Sequence, residues 1–382
     1  MSFPVLRKSV RGFSLVEIMV AMIVGLIGMI VVFQVFAVFE GQKRTATSGG
    51  DAQQNGSIAL FSIGREARMA GYGLNYTGLL GCNVVGYDAG PPVRDPVQFT
   101  LAAAKITAGA AGAPDSITFA YGNSPTIVGS FSLLAAAPAG GNLFSVVTGF
   151  GMGIGDVLVV GEVPAAGLPI AKNCSLAVVT SMPGGTASNS LSFDPGNYSL
   201  NGVTQTARYN RPGGSTVSYN AWDNIANLGG RLFDLGNTLT VVTYVLDTTN
   251  YQLSASYTMD GTTTPVADGI VQLKAQYGID NTVGTPTGVV NQWTAVDPTT
   301  ADAWSRVLAL RLVVVARSGQ MERPTDPVTK QIITGACNTT TSPPNSMLGA
   351  IDVSADPNWQ CYRYRVFETV VPLRNQIWAP LP

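Results

Sequence analysis

The chain has 382 residues, 46% hydrophobic and 12% charged, with 43 Gly, 23 Pro and a formal net charge of −1. That is enough apolar length for a substantial core at about half the usual charge density, which excludes a disordered polyelectrolyte and leaves no global attraction for nucleic acid. Histidine is absent, which excludes Ser-His-Asp and Cys-His catalysis, imidazole metal sites and the ordinary pH switch near neutrality.

In chain order, Arg7, Lys8 and Arg11 come first, then Gly12, then an apolar run. Ile18 to Phe39 carries no formal charge; at ~1.5 Å per residue a helix there reaches roughly 33 Å, enough for a ~30 Å hydrocarbon layer. Basic residues precede it, so the positive-inside rule puts the amino end in the cytoplasm and the long remainder outside. The run is too long for a secretory h-region and no small-x-small site closes it. Glu17 sits awkwardly at its edge, because a carboxylate at membrane depth persists where it finds a partner. A cut between Gly12 and Phe13 would create that partner, a terminal amine, able to pair with Glu17 of an axially shifted neighbour in a bundle. Ala21, Gly25 and Gly28 share one helical stripe that permits close approach of another helix.

The string "RGFSLVE" before this run resembles the class III leader of type IV prepilins. The resemblance implies cleavage after Gly12 by a prepilin peptidase, N-methylation of Phe13 and an assembly role for Glu17. Many major pilins have a helix-kinking Pro where this chain has Gln34, so a kink or local melt there is left open.

Beyond Glu40 the pattern turns polar and amphipathic, and "SGGD" at 48–51 predicts a loosening of the helix. A helical face follows, with Ile58, Leu60, Phe61, Ile63, Ala67 and Met69 at helical intervals and a stop at Gly71 and Gly73. Arg65, Glu66 and Arg68 read as its solvated side. "FSIGREARMAGYG" resembles the matching region of PilW-type minor pilins.

From about Cys82 the pattern is that of strands: Ser116–Tyr121, Phe131–Ala135, Leu143–Val147, Asp156–Glu162, Ser175–Ser181 and Ser190–Asp194. Residues 195–236 read as loop. Longer strands follow at Thr238–Asp247, Tyr251–Asp260, Ile270–Asp280, Arg306–Ser318 and Tyr362–Asn375, the first two forming a hairpin with a three-residue connection. "ADGIVQLKAQYGID", "RVLALRLVVVARS" and the closing "VVPLRN" are similar to the carboxy-terminal half of PilW-type minor pilins and, more distantly, to J-type pseudopilins of type II secretion. Residues 83–237 carry no such resemblance and read as a β-rich insertion or lobe.

Four cysteines, none in a CxxC pair, suggest disulfides in an oxidising compartment. Of three pairings, Cys337 with Cys361 is favoured because it closes a Pro- and Asn-rich loop with little apolar periodicity; Cys82 with Cys174 follows by elimination, and four buried thiols are the alternative. The glycine-dense "GFGMGIGD" lacks a following helix and a GK[ST], so it reads as a loop. The Asp-containing turns "FDLGNT", "MDGTTTP" and "IDNTVGTPTG" lack the EF-hand order of ligands, and the five tryptophans are scattered.

The expected fold is α+β and pilin-like, a long amino-terminal helix on a predominantly antiparallel β-rich domain. Its segments are a leader (1–12), a membrane-spanning and filament-core helix (13–39), an amphipathic continuation (40–73), a β-rich region with an insertion (74–237) and a carboxy-terminal sheet (238–382). The resemblance implies a minor pilin that primes assembly at or near the tip of a filament serving twitching motility and adhesion. Its implied partners are prepilin peptidase, other minor pilins, the major pilin, a tip adhesin and the inner membrane. No cofactor, metal, nucleic acid or catalytic residue is expected. A type II secretion pseudopilin and a signal-anchored extracytoplasmic enzyme with a carboxylate site are the alternatives.

Overall fold

The computed structural model describes residues 12–74, 76–126, 129–165, 168–185, 188–322 and 337–377; Arg7, Lys8, Arg11 and Trp378 lie outside them. A single α-helix, Leu15–Met69, runs for 55 residues, about 83 Å at ~1.5 Å per residue. It passes unbroken through Gln34 and through Ser48–Asp51, where the sequence predicts loosening. Each glycine there costs roughly 1 kcal/mol against alanine, but tertiary contact overrides this. Ser48 is buried and its Oγ accepts the Gln320 N–H at 3.1 Å, and Ala52 one turn on is also buried.

The second half of the helix buries Ala52, Gly56, Ala59, Ile63, Ala67 and Ala70, spaced three and four apart. This stripe is smaller in side-chain size than the expected face, and Ile58, Phe61 and Met69 point outward. Small residues let the helix axis approach the sheet closely. At Gly56 the Phe367 ring fills the space a Cβ would need, so even alanine forces the ring to move. Glu66 also corrects the sequence reading: it is 2% exposed, accepts Tyr121 Oη at 2.6 Å, and pairs with Arg65 at 2.7 Å. Burial and then the Glu66 carboxylate push the Tyr121 phenol above its ordinary value. The helix stops at Gly71, whose φ of 81° favours glycine. The Asn375 amide closes this end by donating to the Met69 and Ala70 carbonyls, both at 3.0 Å, satisfying groups a helix terminus leaves open.

The helix lies on a four-stranded antiparallel sheet ordered Gln292–Thr294, Ile270–Ile279, Val307–Arg317, Tyr364–Pro372. Alternation divides the central strand between two cores: Leu310, Leu312, Val314 and Ala316 join the helix side, whereas Val313 and Val315 meet Ile351 and Val353. The covering segment is thus the loop tied by Cys337–Cys361, whose Cα atoms are 4.8 Å apart.

A five-stranded antiparallel sheet has the order Thr262–Asp268, Gln252–Tyr257, Thr240–Asp247, Ser116–Tyr121, Ala104–Thr107. It crosses the expected boundary at 237/238: two strands from residues 83–237, Ala104–Thr107 and Ser116–Tyr121, extend the later sheet. Asp247 faces Gln252 in the hairpin, so four residues connect the strands, one more than expected, with Tyr251 at φ 53°.

The six-stranded sheet runs Arg94–Thr100, Asn83–Asp88, Cys174–Val178, Val157–Val163, Gly229–Asp234, Ser130–Ser132. Pairing is antiparallel except between Asn83–Asp88 and Cys174–Val178, where Cys82 and Cys174 form the second disulfide, Cα atoms 6.0 Å apart. Gly229–Asp234 lies in the interval read as loop, as do Asn197–Leu200 and Val203–Thr206. Its sequence "GGRLFD" hides the strand signal, because Arg231 is stabilised by stacking over Tyr76 and Trp222, 4.0 and 4.6 Å to the ring centres. Asp88, with no exposed surface, ties this sheet to the next: it receives Arg94 and Arg208, while Arg94 also donates to Met259 O at 2.7 Å.

Candidate functional site

Helix residues Leu15–Glu40 reach a mean hydropathy of 2.8 over an 18-residue window and are uncovered by the rest of the chain, so the helix has the length and composition to cross a membrane. Phe13 is 79% exposed. Gly12, Gly25 and Gly28 have no atom within 4 Å of the position a Cβ would occupy, and none has a positive φ. Neither crowding nor backbone geometry within this chain calls for glycine at these positions. Ala21, Gly25 and Gly28 thus lie along the uncovered half of the helix, with open space beside the two glycines.

The local chemistry around Glu17 includes a partner that the sequence reading passes over. Ser14 is the helix N-cap: its Oγ accepts the Glu17 N–H at 3.2 Å, and the Glu17 carboxylate accepts the Ser14 N–H at 3.4 Å. This capping box satisfies two orphan donors reciprocally and places a negative charge at the positive end of the helix dipole. The signal was present as S-x-x-E ahead of an apolar run. Glu17 is thus held at the helix entrance, next to the bond between Gly12 and Phe13.

The other residues singled out in the sequence lie elsewhere and do not converge on this segment. Cys82–Cys174 and Cys337–Cys361 are in the body. Asp280 turns its oxygens onto its own loop, accepting Thr282 N and Gly288 N at 3.0 and 2.8 Å, which holds its carboxyl below the usual range. Asp234 accepts Gly236 N and Ser124 Oγ; burial and the nearby Asp156 push it up to about 6. Among the described residues no three His, Cys, Asp or Glu side chains are grouped to hold a metal. The described tryptophans serve packing: Trp293 lies under Arg311, Trp304 meets Tyr277 edge-on, and Trp359 packs behind the four-stranded sheet.

Residues 7–33 match the family model of the prokaryotic N-terminal methylation motif, and residues 240–375 match that of Type IV Pilus-assembly protein W. Among solved structures, a type IV-like pilin from Thermus thermophilus is similar over 85% of this chain and 96% of its own, at 10% identity and a TM-score of 0.29. No curated protein matches. The first matched segment contains the start of the uncovered helix, and the second contains the whole four-stranded sheet on which its second half is docked.

Proposed function

We propose that this PilW-type, type IV pilin-like protein is a prepilin cut between Gly12 and Phe13 by a prepilin peptidase and N-methylated at Phe13. Held first in the inner membrane with its body outside the cytoplasm, it then passes into a filament with other minor pilins and the major pilin. It acts as an assembly primer at or near the tip. The observation that carries this reading is the division of one helix: a half packed against sheets, and a largely apolar half of 26 residues that this chain leaves bare. Bare apolar surface of that extent is stable only in lipid or against other helices, and Gly25 and Gly28 suit the second environment after the first. A large body on a thin helix is an awkward repeat for a tightly wound shaft, which favours initiation or capping.

Mass spectrometry of the amino-terminal peptide from cells tests the reading. The expected peptide begins at N-methylated Phe13; one beginning at Met1 or Ser2 refutes processing. Deletion of the protein is expected to reduce piliation sharply, and unchanged piliation overturns the priming role.

The capping box separates two roles for Glu17. Glu17→Gln keeps a capping acceptor and loses the charge, so recovery with partner pilins is expected to fall about tenfold, the effect of roughly 1.4 kcal/mol for a partly desolvated ion pair. Ser14→Ala loses the cap, about 1 kcal/mol of helix end stability, and is expected to keep recovery within about twofold. Equal recovery in both variants, measured by co-purification, would remove the charge from the assembly step.

A further inference from the structure

Arg231, on the six-stranded sheet, is a cation without a counter-ion among the described residues, which include every Asp and Glu of the chain except Asp326. Its guanidinium carbon lies 4.0 Å from the ring centre of Tyr76 and 4.6 Å from that of Trp222. The carboxylates on the adjoining segments are engaged elsewhere. Glu162, next to Gly161, binds Lys172 at 2.7 Å and accepts the Asn220 N–H at 2.9 Å. Asp223, next to Trp222, accepts the N–H groups of Ile225 and Ala226, and Asp234 accepts those of Gly236 and Ser124. Arg231 Nε is buried with no acceptor; the two terminal nitrogens also lack one but are not buried with it. A buried donor left unpaired is uncommon, and aromatic faces offset a full charge only in part. The rings thus hold the guanidinium in place while its outer edge, the one that grips a carboxylate through two parallel N–H···O bonds, stays open to water.

The surroundings define what can reach that edge. Gly161 and Ser132 stand directly opposite Arg231 on the two neighbouring strands. The Cys174 sulfur and Leu79 fill the space beside Gly161, which leaves the Ser132 side for approach. There the Val147 N–H donates to Ser132 O at 3.2 Å and the Leu134 N–H to Ser145 O at 2.7 Å. Alternation sends Leu133 and Val146 into the core and turns Leu134 and Val147 outward, 56% and 58% exposed. An arginine braced by Tyr and Trp beside exposed aliphatic residues has the make-up of an interface centre, and its uncompensated positive charge selects a negative partner.

We propose that Arg231 receives the carboxylate of an acidic side chain from another polypeptide, with Leu134 and Val147 taking the aliphatic residues that flank it. The contact is made by the body alone and does not require a filament. The full mature chain in detergent micelles, labelled with 5-fluorotryptophan and with the Trp222 signal identified by Trp222→Phe, is titrated at pH 7 with four probes. These are the acetylated, amidated tripeptide Leu-Glu-Leu, its Leu-Gln-Leu counterpart, propionate and inorganic phosphate. The Glu peptide is expected to move the Trp222 signal saturably and the Gln peptide to bind at least about tenfold more weakly. Propionate and phosphate, which lack the aliphatic flanks, are expected to be weaker by about the same factor. Arg231→Lys keeps the charge and loses the fork, so about a tenfold loss is expected. Ser132→Asp places a carboxylate directly across from Arg231 and is expected to abolish peptide binding without lowering the thermal midpoint, whereas Ser132→Asn keeps affinity within about twofold. No saturable shift, equal binding of the Gln peptide, propionate or phosphate binding as tightly as the Glu peptide, or full affinity in Arg231→Lys or Ser132→Asp overturns the assignment.

Discussion

Replacing Gly12 with leucine is expected to lower leader removal by at least about 100-fold, the order of effect that misplacing a reacting bond produces, and to abolish entry into filaments. The case rests on what Gly12 does not do within this chain. It touches nothing, and its backbone does not need the freedom of glycine, so leucine there leaves the helix, both disulfides and thermal stability unchanged. A peptidase must bring its catalytic groups up to the Gly12 carbonyl, and a missing side chain is what allows that approach. Downstream, Phe13 and the capped turn at Ser14 present the bond at the mouth of a regular helix. Immunoblotting of cell membranes for retained leader, with electron microscopy for filaments, reads the result. Normal processing of the variant would sink the cleavage assignment.

How much was legible depended on whether a residue's role was local. The strands Ser116–Tyr121, Val157–Val163 and Val307–Arg317 carry their signal in their own alternation or apolar density and were read within a residue or two. The strand Gly229–Asp234 was not, because its arginine is tolerated only by two rings distant in sequence. The same holds for Thr262–Asp268, whose threonines and Pro265 sit at a sheet edge where one unpaired side excuses proline. Glu66 looks like any charged helix residue until Tyr121, 55 positions away, closes over it. The continuation through Ser48–Asp51 also depends on a partner 272 residues away. At the amino-terminal segment the order reverses. Residues 7–33, which match the N-terminal methylation motif, carry that signal in adjacent residues, and the Ser14 cap among them needed only the S-x-x-E spacing.

Removal of Cys82–Cys174, as the double Cys→Ala variant, is expected to destabilise the body by about 4 to 5 kcal/mol, roughly 10 to 20 °C in thermal midpoint for a domain of this size. The ring it closes spans 92 positions, and the entropy an unfolded chain regains grows with the logarithm of ring length. Cys337–Cys361 closes 24 and should cost about 3 kcal/mol. Location reinforces the difference. Both sulfurs of the larger ring are in the main core, at the one parallel junction of the six-stranded sheet, where only Val84 with Cys174 and Val85 with Ser175 are in register. Two pairs hold little without a covalent tie, so the edge formed by Asn83–Asp88 and Arg94–Thr100 is expected to open first. That edge carries Asp88, whose burial alone would raise its carboxyl but whose hydrogen bonds from Arg208, the Gly90 N–H and Arg94 together hold it below its ordinary value. A depressed carboxyl contributes stability above its unfolded value and loses it as pH falls through the folded one. Loss of the disulfide should therefore also make acid unfolding begin at higher pH, since an opened edge exposes Asp88 to protonation. Thermal scans of the two double variants and the parent at pH 7 and at pH 4 decide the matter: a smaller loss for the Cys82–Cys174 variant than for the Cys337–Cys361 variant would contradict the ring-length and junction argument alike.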